Sequence, residues 1–402
     1  MAASTLRDWV ACLTLGLAVG GCGARTGLGL GTDGGTPDAA GPDSPAITCI
    51  DVPHRAPPTV VSLTFQALIR RGAVLVAVDG TGTMRQELEA LAADREALTT
   101  ALTAPLETAE IAGFYFADQP VRPYSTVAGG DLYLPPYVSP VRPDANALLD
   151  GVSTIVLVPG GDAPEGQVPA IDAVVAREVD PALMPACPPD AFSSACLPGD
   201  LARALIVLSD GPFHEGPMGE HPYDRPVIAG PTFGDLIGTL RTHHVRALGV
   251  ATAEGEATDH LVSLARGSRA VSVAGDPVVA RVGPADVVLG VAVVVQRWID
   301  EIPLDVDVAL SGGTVARSLV AAHAIVFVEP MDAAMIDAAT ALAVTPRSSI
   351  GVEVVLANED RLPGATLETF PIEVCLMLEG YAPLECQTVI LGVPGEDGTH
   401  CE

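Results

Sequence analysis

Residues 74–84 read Val74-Leu75-Val76-Ala77-Val78-Asp79-Gly80-Thr81-Gly82-Thr83-Met84, and this stretch decides the fold. Ala73 to Val78 has the length and β-branched content of a strand buried on both faces. Asp79, Thr81 and Thr83 then alternate with Gly80 and Gly82, so three oxygen-bearing side chains leave one strand end together on a glycine turn. Hard cations such as Mg²⁺ and Ca²⁺ take oxygen ligands presented this way.

Other strand–glycine turns fail on particular residues. A phosphate-binding loop needs a lysine after its last glycine, and all the basic charge of this chain is arginine. The dinucleotide fingerprint puts its third glycine where Arg85 stands. Asp79-Gly-Thr also resembles the haloacid-dehalogenase phosphatase motif, but Ala77 occupies the position of that family's nucleophilic aspartate.

Ala204-Leu-Ile-Val-Leu-Ser-Asp210-Gly-Pro-Phe-His214 repeats the opening theme, with a buried strand ending on an acidic residue and a turn. Two parallel strands delivering carboxylates to one sheet edge are more specific than one. Between them, Gly160-Gly-Asp162-Ala-Pro164-Glu165 brings two more carboxylates, and Asp118 follows the apolar Phe114-Tyr-Phe-Ala.

The pattern around these strands predicts an α/β fold with a doubly wound, mostly parallel sheet over residues 71–301. Helices are expected near 85–104, 167–177, 233–242, 258–266 and 287–300, and strands near 111–116, 154–158, 204–208 and 247–250, with a hairpin-like segment at 132–138. Ligands of such sheets collect beyond the carboxyl ends of the strands, where Asp79 falls. After Pro303 the texture changes to short strand-like runs at 304–310, 324–327, 352–357, 371–378 and 388–393, with one helical candidate near 331–342. A smaller C-terminal β-sandwich-like domain over 302–402 is expected, and the alternating run at 60–68, within a 49–70 strand segment, fits the same sandwich.

Asp79-x-Thr81-x-Thr83 with Asp210 and Asp162-Ala-Pro164-Glu165 resembles the von Willebrand factor A domain, and within it the integrin-β inserted domain and its bacterial relatives. The resemblance implies a metal-ion-dependent adhesion site in which Asp79, Thr81, Thr83, Glu165 and Asp210 hold Mg²⁺ or Ca²⁺, with Mn²⁺ also acceptable. It implies a second cation site from Asp118, Asp162, the Pro164 carbonyl and Glu165, with Gly160 replacing the family's asparagine. A third site falls on Gln86 and Glu87, of which only Glu87 keeps a charge. The implied activity is adhesion, with a protein partner's Asp or Glu carboxylate completing the ion's shell, and no enzymatic turnover. The alternatives are a structural envelope protein with a vestigial metal site and, further off, a metal-dependent hydrolase.

The N-terminus reads as a processing signal. Arg7 precedes an apolar run from Trp9 to Val19, and Val19-Gly20-Gly21-Cys22 resembles the lipobox of bacterial lipoproteins, implying removal of residues 1–21 and lipidation at Cys22. The run is too short to span a bilayer, so the expectation is an exported, lipid-anchored envelope protein, at the outer membrane by the Gly23 that follows. Residues 22–48, rich in Gly, Pro, Asp and Ala, read as a disordered tether. Export makes disulfides the expected state of the remaining cysteines, and spacing favours Cys187 with Cys196 and Cys375 with Cys386, leaving Cys49 for Cys401. A net charge of −29 argues against a nucleic acid partner. His214 and His221 lie in a Gly/Pro-rich loop and read as solvated, His243-His244 reads as a helix C-terminus, and Phe213 and Tyr223 read as packing residues.

Overall fold

The run around Val74 forms β3 (Arg71–Asp79), buried from Gly72 to its last residue. Val74, Val76 and Val78 enter one core, while Ala73, Leu75 and Ala77 enter the other. That division follows from the two-residue period of a strand with helices on both sides. The computed structural model describes residues 48–118, 124, 133–138, 163–179, 187–217, 219–223, 230–330, 335–336 and 339–401. The processing signal, Cys22, the tether up to residue 47 and the expected strand at 154–158 lie outside them.

β3 pairs in parallel with β4 (Thr108–Phe116) on one side and β6 (Ala202–Ser209) on the other. β7 (Val245–Ala251) and β8 (Val279–Arg281) continue the parallel sheet, and β5 (Tyr133–Val138) runs antiparallel along β4. The order β5-β4-β3-β6-β7-β8 makes β3 and β6 the pair from which the chain winds in opposite directions. Their carboxyl ends therefore form the switch point where open α/β sheets place ligands.

Helices α1 (Arg85–Ala93), α2 (Arg95–Thr103) and α6 (Val287–Glu301) cover the first face through Leu88, Leu98, Leu102, Val294 and Trp298. On the opposite face, α3 (Gln167–Ala176), α4 (Phe233–Thr242) and α5 (Glu256–Gly267) contribute Ile171, Val174, Leu236, Leu240, Leu261 and Leu264. Gly72 is needed at the start of β3, because a Cβ there would lie 2.9 Å from both Leu106 and Trp298. The helix expected over 85–104 is two helices, broken at Asp94, whose φ of −120° and ψ of 54° lie outside the helical region. Apolar periodicity continues across that break, so the sequence pattern does not reveal it.

The remaining strands make two sheets. One has the order β1 (Thr48–Asp51), β15 (Ala382–Val393), β14 (Glu368–Leu378), β9 (Leu304–Gly312), β12 (Thr340–Val344), β11 (Met335–Ile336). The other joins β10 (Val320–Glu329), β13 (Ser349–Leu356) and β2 (Thr59–Gln66). β1 and β2 precede the parallel sheet yet pair with β15 and β13, so the α/β part is inserted between strands of shared sheets. The helix expected near 331–342 is not formed in its described residues: β11 and β12 stand there, with β12 antiparallel to β9. Alanine-rich composition favours helix locally, but strand pairing over a buried face overrides it.

One hydrophobic core runs from the sandwich residues Phe65, Val306, Ile350 and Leu376 to Val74, Val294 and Trp298. At the junction Glu379 accepts hydrogen bonds from Arg246 and His244, and the Arg203 guanidinium lies 4.5 Å from the Tyr381 ring centre. Burial pushes the Tyr381 hydroxyl up to about 12. Disulfides join Cys187 to Cys196 and Cys375 to Cys386, the pairs favoured by spacing, and Cys49 to Cys401, the pair that these leave.

Candidate metal centre

Asp79 is the last residue of β3 and is fully buried. Its Oδ1 accepts the Thr81 backbone N–H at 2.9 Å and the Thr81 hydroxyl at 2.7 Å, while Oδ2 accepts the Ser209 hydroxyl at 3.0 Å. Thr81 Oγ1 lies 3.1 Å from Thr83 Oγ1, and Thr83 Oγ1 donates to Asp210 Oδ1 at 3.1 Å. A continuous row of oxygens therefore links the ends of β3 and β6. The parallel register pairs Val78 with Leu208, which sets Asp79 beside Ser209 and carries Asp210 just past the strand end.

Electrostatics mark the row as strained without a counter-charge. Desolvation pushes the Asp79 carboxyl up to about 6 against the pull of Thr81's hydrogen bonds, with the Asp210 charge adding to the rise. Asp210 is raised too, by its own burial and then by the Glu87 charge, while Thr83's hydrogen bond opposes the shift. Glu87, in the first turn of α1, is 3% exposed, and its Oε2 has no hydrogen-bond partner among the described residues. Buried carboxylates so close together fit a divalent cation, since its charge offsets their repulsion and desolvation. Glu87, the residue the sequence reading assigns to a third site, also bears on the row, since its charge raises the Asp210 carboxyl.

Glu165 is buried, with its N–H on the Pro212 carbonyl at 2.9 Å and its own carbonyl accepting the His214 N–H at 2.7 Å. Its side chain runs against Gly211, where a Cβ would sit 3.2 Å from Glu165 Cγ and 3.1 Å from the Ala163 carbonyl oxygen. The loop carrying Pro164 and Glu165 thus packs on the turn that holds Asp210. Two residues that the sequence reading missed support the row. Gln167 Nε2 donates to Ser209 Oγ at 2.9 Å, and Ser209 in turn orients Asp79. Ser209 looked like an ordinary strand end, and its one signal was adjacency to Asp210.

Asp118 makes contacts that the sequence did not announce. Its Oδ1 accepts the Tyr223 hydroxyl at 2.7 Å, and His214 Nε2 lies 3.4 Å from Oδ2. His214 and Tyr223 stack at 4.5 Å, with Tyr124 edge-on to both. The sequence expectation of a solvated His214 is corrected here: the imidazole is 3% exposed, because the Gly/Pro-rich loop folds inward over Asp118. Tyr223 does more than pack, since its hydroxyl is a donor to that carboxylate. Asp162 and Gly160 lie outside the described residues.

Comparison with known proteins places these features among solved structures of low similarity. The chain is similar to a von Willebrand factor type A protein from Catenulispora acidiphila, at 12% identity and TM-score 0.38, over 86% of this chain and 72% of that one. It is similar to proximal thread matrix protein 1 from the mussel byssus, at 11% identity and TM-score 0.34, over 62% of this chain and 52% of the other. A third likeness is to the pilus adhesin SpaC from Lactobacillus rhamnosus GG in an open conformation, at 12% identity and TM-score 0.32, over 85% of this chain and 46% of that one. No family model matches the chain, and no curated protein does.

Proposed function

We propose that residues 71–301 form a von Willebrand factor A-type domain that holds a divalent cation for a protein partner's carboxylate. The observation that carries this reading is the hydrogen-bonded row Asp79–Thr81–Thr83–Asp210 at the switch point, flanked by buried Glu87 and Glu165. Asp79, Thr81, Thr83 and Asp210 would hold Mg²⁺, Ca²⁺ or Mn²⁺, with Glu165 joining from its loop. Thr81 and Thr83 contribute neutral hydroxyls, so the ion keeps an open position that attracts an outside carboxylate in spite of the chain's own charge of −29. Placement at a rigid sheet edge fixes the geometry, and the surrounding loops choose the partner.

The protein acts, on this reading, as an exported adhesion or protein-binding lipoprotein tethered through Cys22, at the outer membrane, and without catalytic turnover. Among the described residues no helix is long and apolar enough to cross a membrane. A single ion, at the Asp79 row, is proposed. The test is retention of an acidic, Asp-bearing peptide ligand by the immobilised full chain. Retention that requires Mg²⁺ or Mn²⁺, is reversed by EDTA and is lost in Asp79→Ala supports adhesion. Metal binding without any cation-dependent retention favours a purely structural site, and turnover of ester or phosphate substrates favours a hydrolase.

A further inference from the structure

A second cluster of metal-binding side chains stands apart from the row of oxygens. Glu256 and His260 are four residues apart in the first turns of α5, so both side chains leave the same helix face. His221 meets them from the loop after β6, with its Nε2 2.7 Å from Glu256 Oε1. Glu220 comes from the same loop, and its Oε2 is 3.1 Å from His260 Nε2. One donor atom each from His221, Glu256 and His260 lies within 4.8 Å of the other two. Tetrahedral zinc with bonds of about 2.0–2.2 Å sets its donors roughly 3.4 Å apart, so small side-chain rotations close the set. Two imidazoles with two carboxylates are a mixed nitrogen–oxygen set, which suits Zn²⁺ and not Mg²⁺ or Ca²⁺.

We propose that His221, Glu256 and His260, completed by Glu220, form a Zn²⁺ site independent of the hard-cation centre. One feature opposes it. The Phe213 N–H donates to His260 Nδ1 at 2.8 Å, so in the metal-free protein the ring hydrogen is on Nε2 and faces Glu220. Zinc at Nε2 requires the other tautomer: the single ring proton moves by way of solvent from Nε2 to Nδ1, with none released from this ring, so Phe213 loses its acceptor. A single backbone hydrogen bond is a small loss against several zinc–ligand bonds. The displacement has one readable consequence: it disturbs Phe213, three residues beyond Asp210 in the same loop.

The test is calorimetric titration of Zn²⁺ into the chelator-treated full chain, with Co²⁺ as a spectroscopic probe. One equivalent of zinc is expected, with a visible tetrahedral Co²⁺ band. Affinity should fall at least about 100-fold in His221→Ala and in the isosteric, exposed variant Glu256→Gln. It should persist in Asp79→Asn, which separates this site from the adhesion-type centre. Absence of zinc binding, undiminished binding in both loop and helix variants, or loss of zinc in Asp79→Asn would each overturn the proposal.

Discussion

Replacing Asp79 by asparagine should stabilise the cation-free protein at neutral pH. Burial raises the Asp79 carboxyl from 3.8 to about 6, so the folded state holds this proton more tightly than the unfolded chain does. Below pH 3.8 both states are protonated and no penalty exists; between 3.8 and about 6 the unfolded state alone ionises, and stability falls as pH rises. Above that window the loss is constant. A shift of about two units at 1.36 kcal/mol each amounts to about 3 kcal/mol at pH 7.5 and roughly 0.6 kcal/mol at pH 4. The neutral amide avoids the penalty and keeps the local bonds: its carbonyl oxygen accepts from Thr81, and Ser209 turns its hydrogen to the Gly211 carbonyl, 3.3 Å away. The assay is urea unfolding in EDTA from pH 4 to pH 7.5, wild type beside Asp79→Asn. The variant should be more stable at neutral pH by about 3 kcal/mol, and the two curves should converge toward pH 4. A variant less stable than wild type at pH 7.5, or a gap that does not change with pH, would refute the electrostatic account. Mg²⁺ at about 1,000 times its Kd should reverse the order, since it adds about 4.1 kcal/mol to the wild type alone, more than the gap.

Other parts of the fold give equally direct expectations. Glu379→Ala leaves Arg246 and His244 without their shared acceptor at the junction and should cost about 2–4 kcal/mol in urea unfolding, with cation affinity little changed. Gly211→Ala places a methyl group 3.1 Å from the Ala163 carbonyl and 3.2 Å from Glu165 Cγ, so calorimetry should show weaker cation binding in a protein with a native circular dichroism spectrum. His214→Ala removes the imidazole beside the buried Asp118 and should lower stability by about 1–3 kcal/mol. Replacing both Cys49 and Cys401 by serine opens a closure of 352 residues and should cost up to about 5 kcal/mol, read as a lower urea midpoint.

The strand ends were legible because β3 and β6 are apolar on both faces up to the residue where they emerge, and a carboxylate at that point has no packing role. The same clarity fails in loops. Tyr223 meets Asp118 across 105 residues of sequence, and no local pattern announces a contact of that separation. The loop's glycines and prolines read as solvated, although its aromatic and imidazole rings fold inward. Ser209 and Gln167 were missed for a related reason, since a polar residue at a strand end or a helix start is common without any ligand nearby. In the sandwich, alternation located most strands, but the parallel pairing of Thr48–Asp51 with Val389–Gly392 depends on chain ends brought together in space. Composition alone favoured helix where β12 forms, because pairing with β9 is invisible in the local sequence.

The central claim is that Asp79, Thr81, Thr83 and Asp210 hold one divalent cation. Calorimetric titration of Mg²⁺, repeated with Mn²⁺, into the EDTA-treated full chain tests it most directly. One site is expected in the wild type, with binding lost in Asp79→Ala and weakened at least about tenfold in Thr81→Ala. An intact protein that binds neither ion, or an Asp79→Ala variant that binds as the wild type does, would contradict the account.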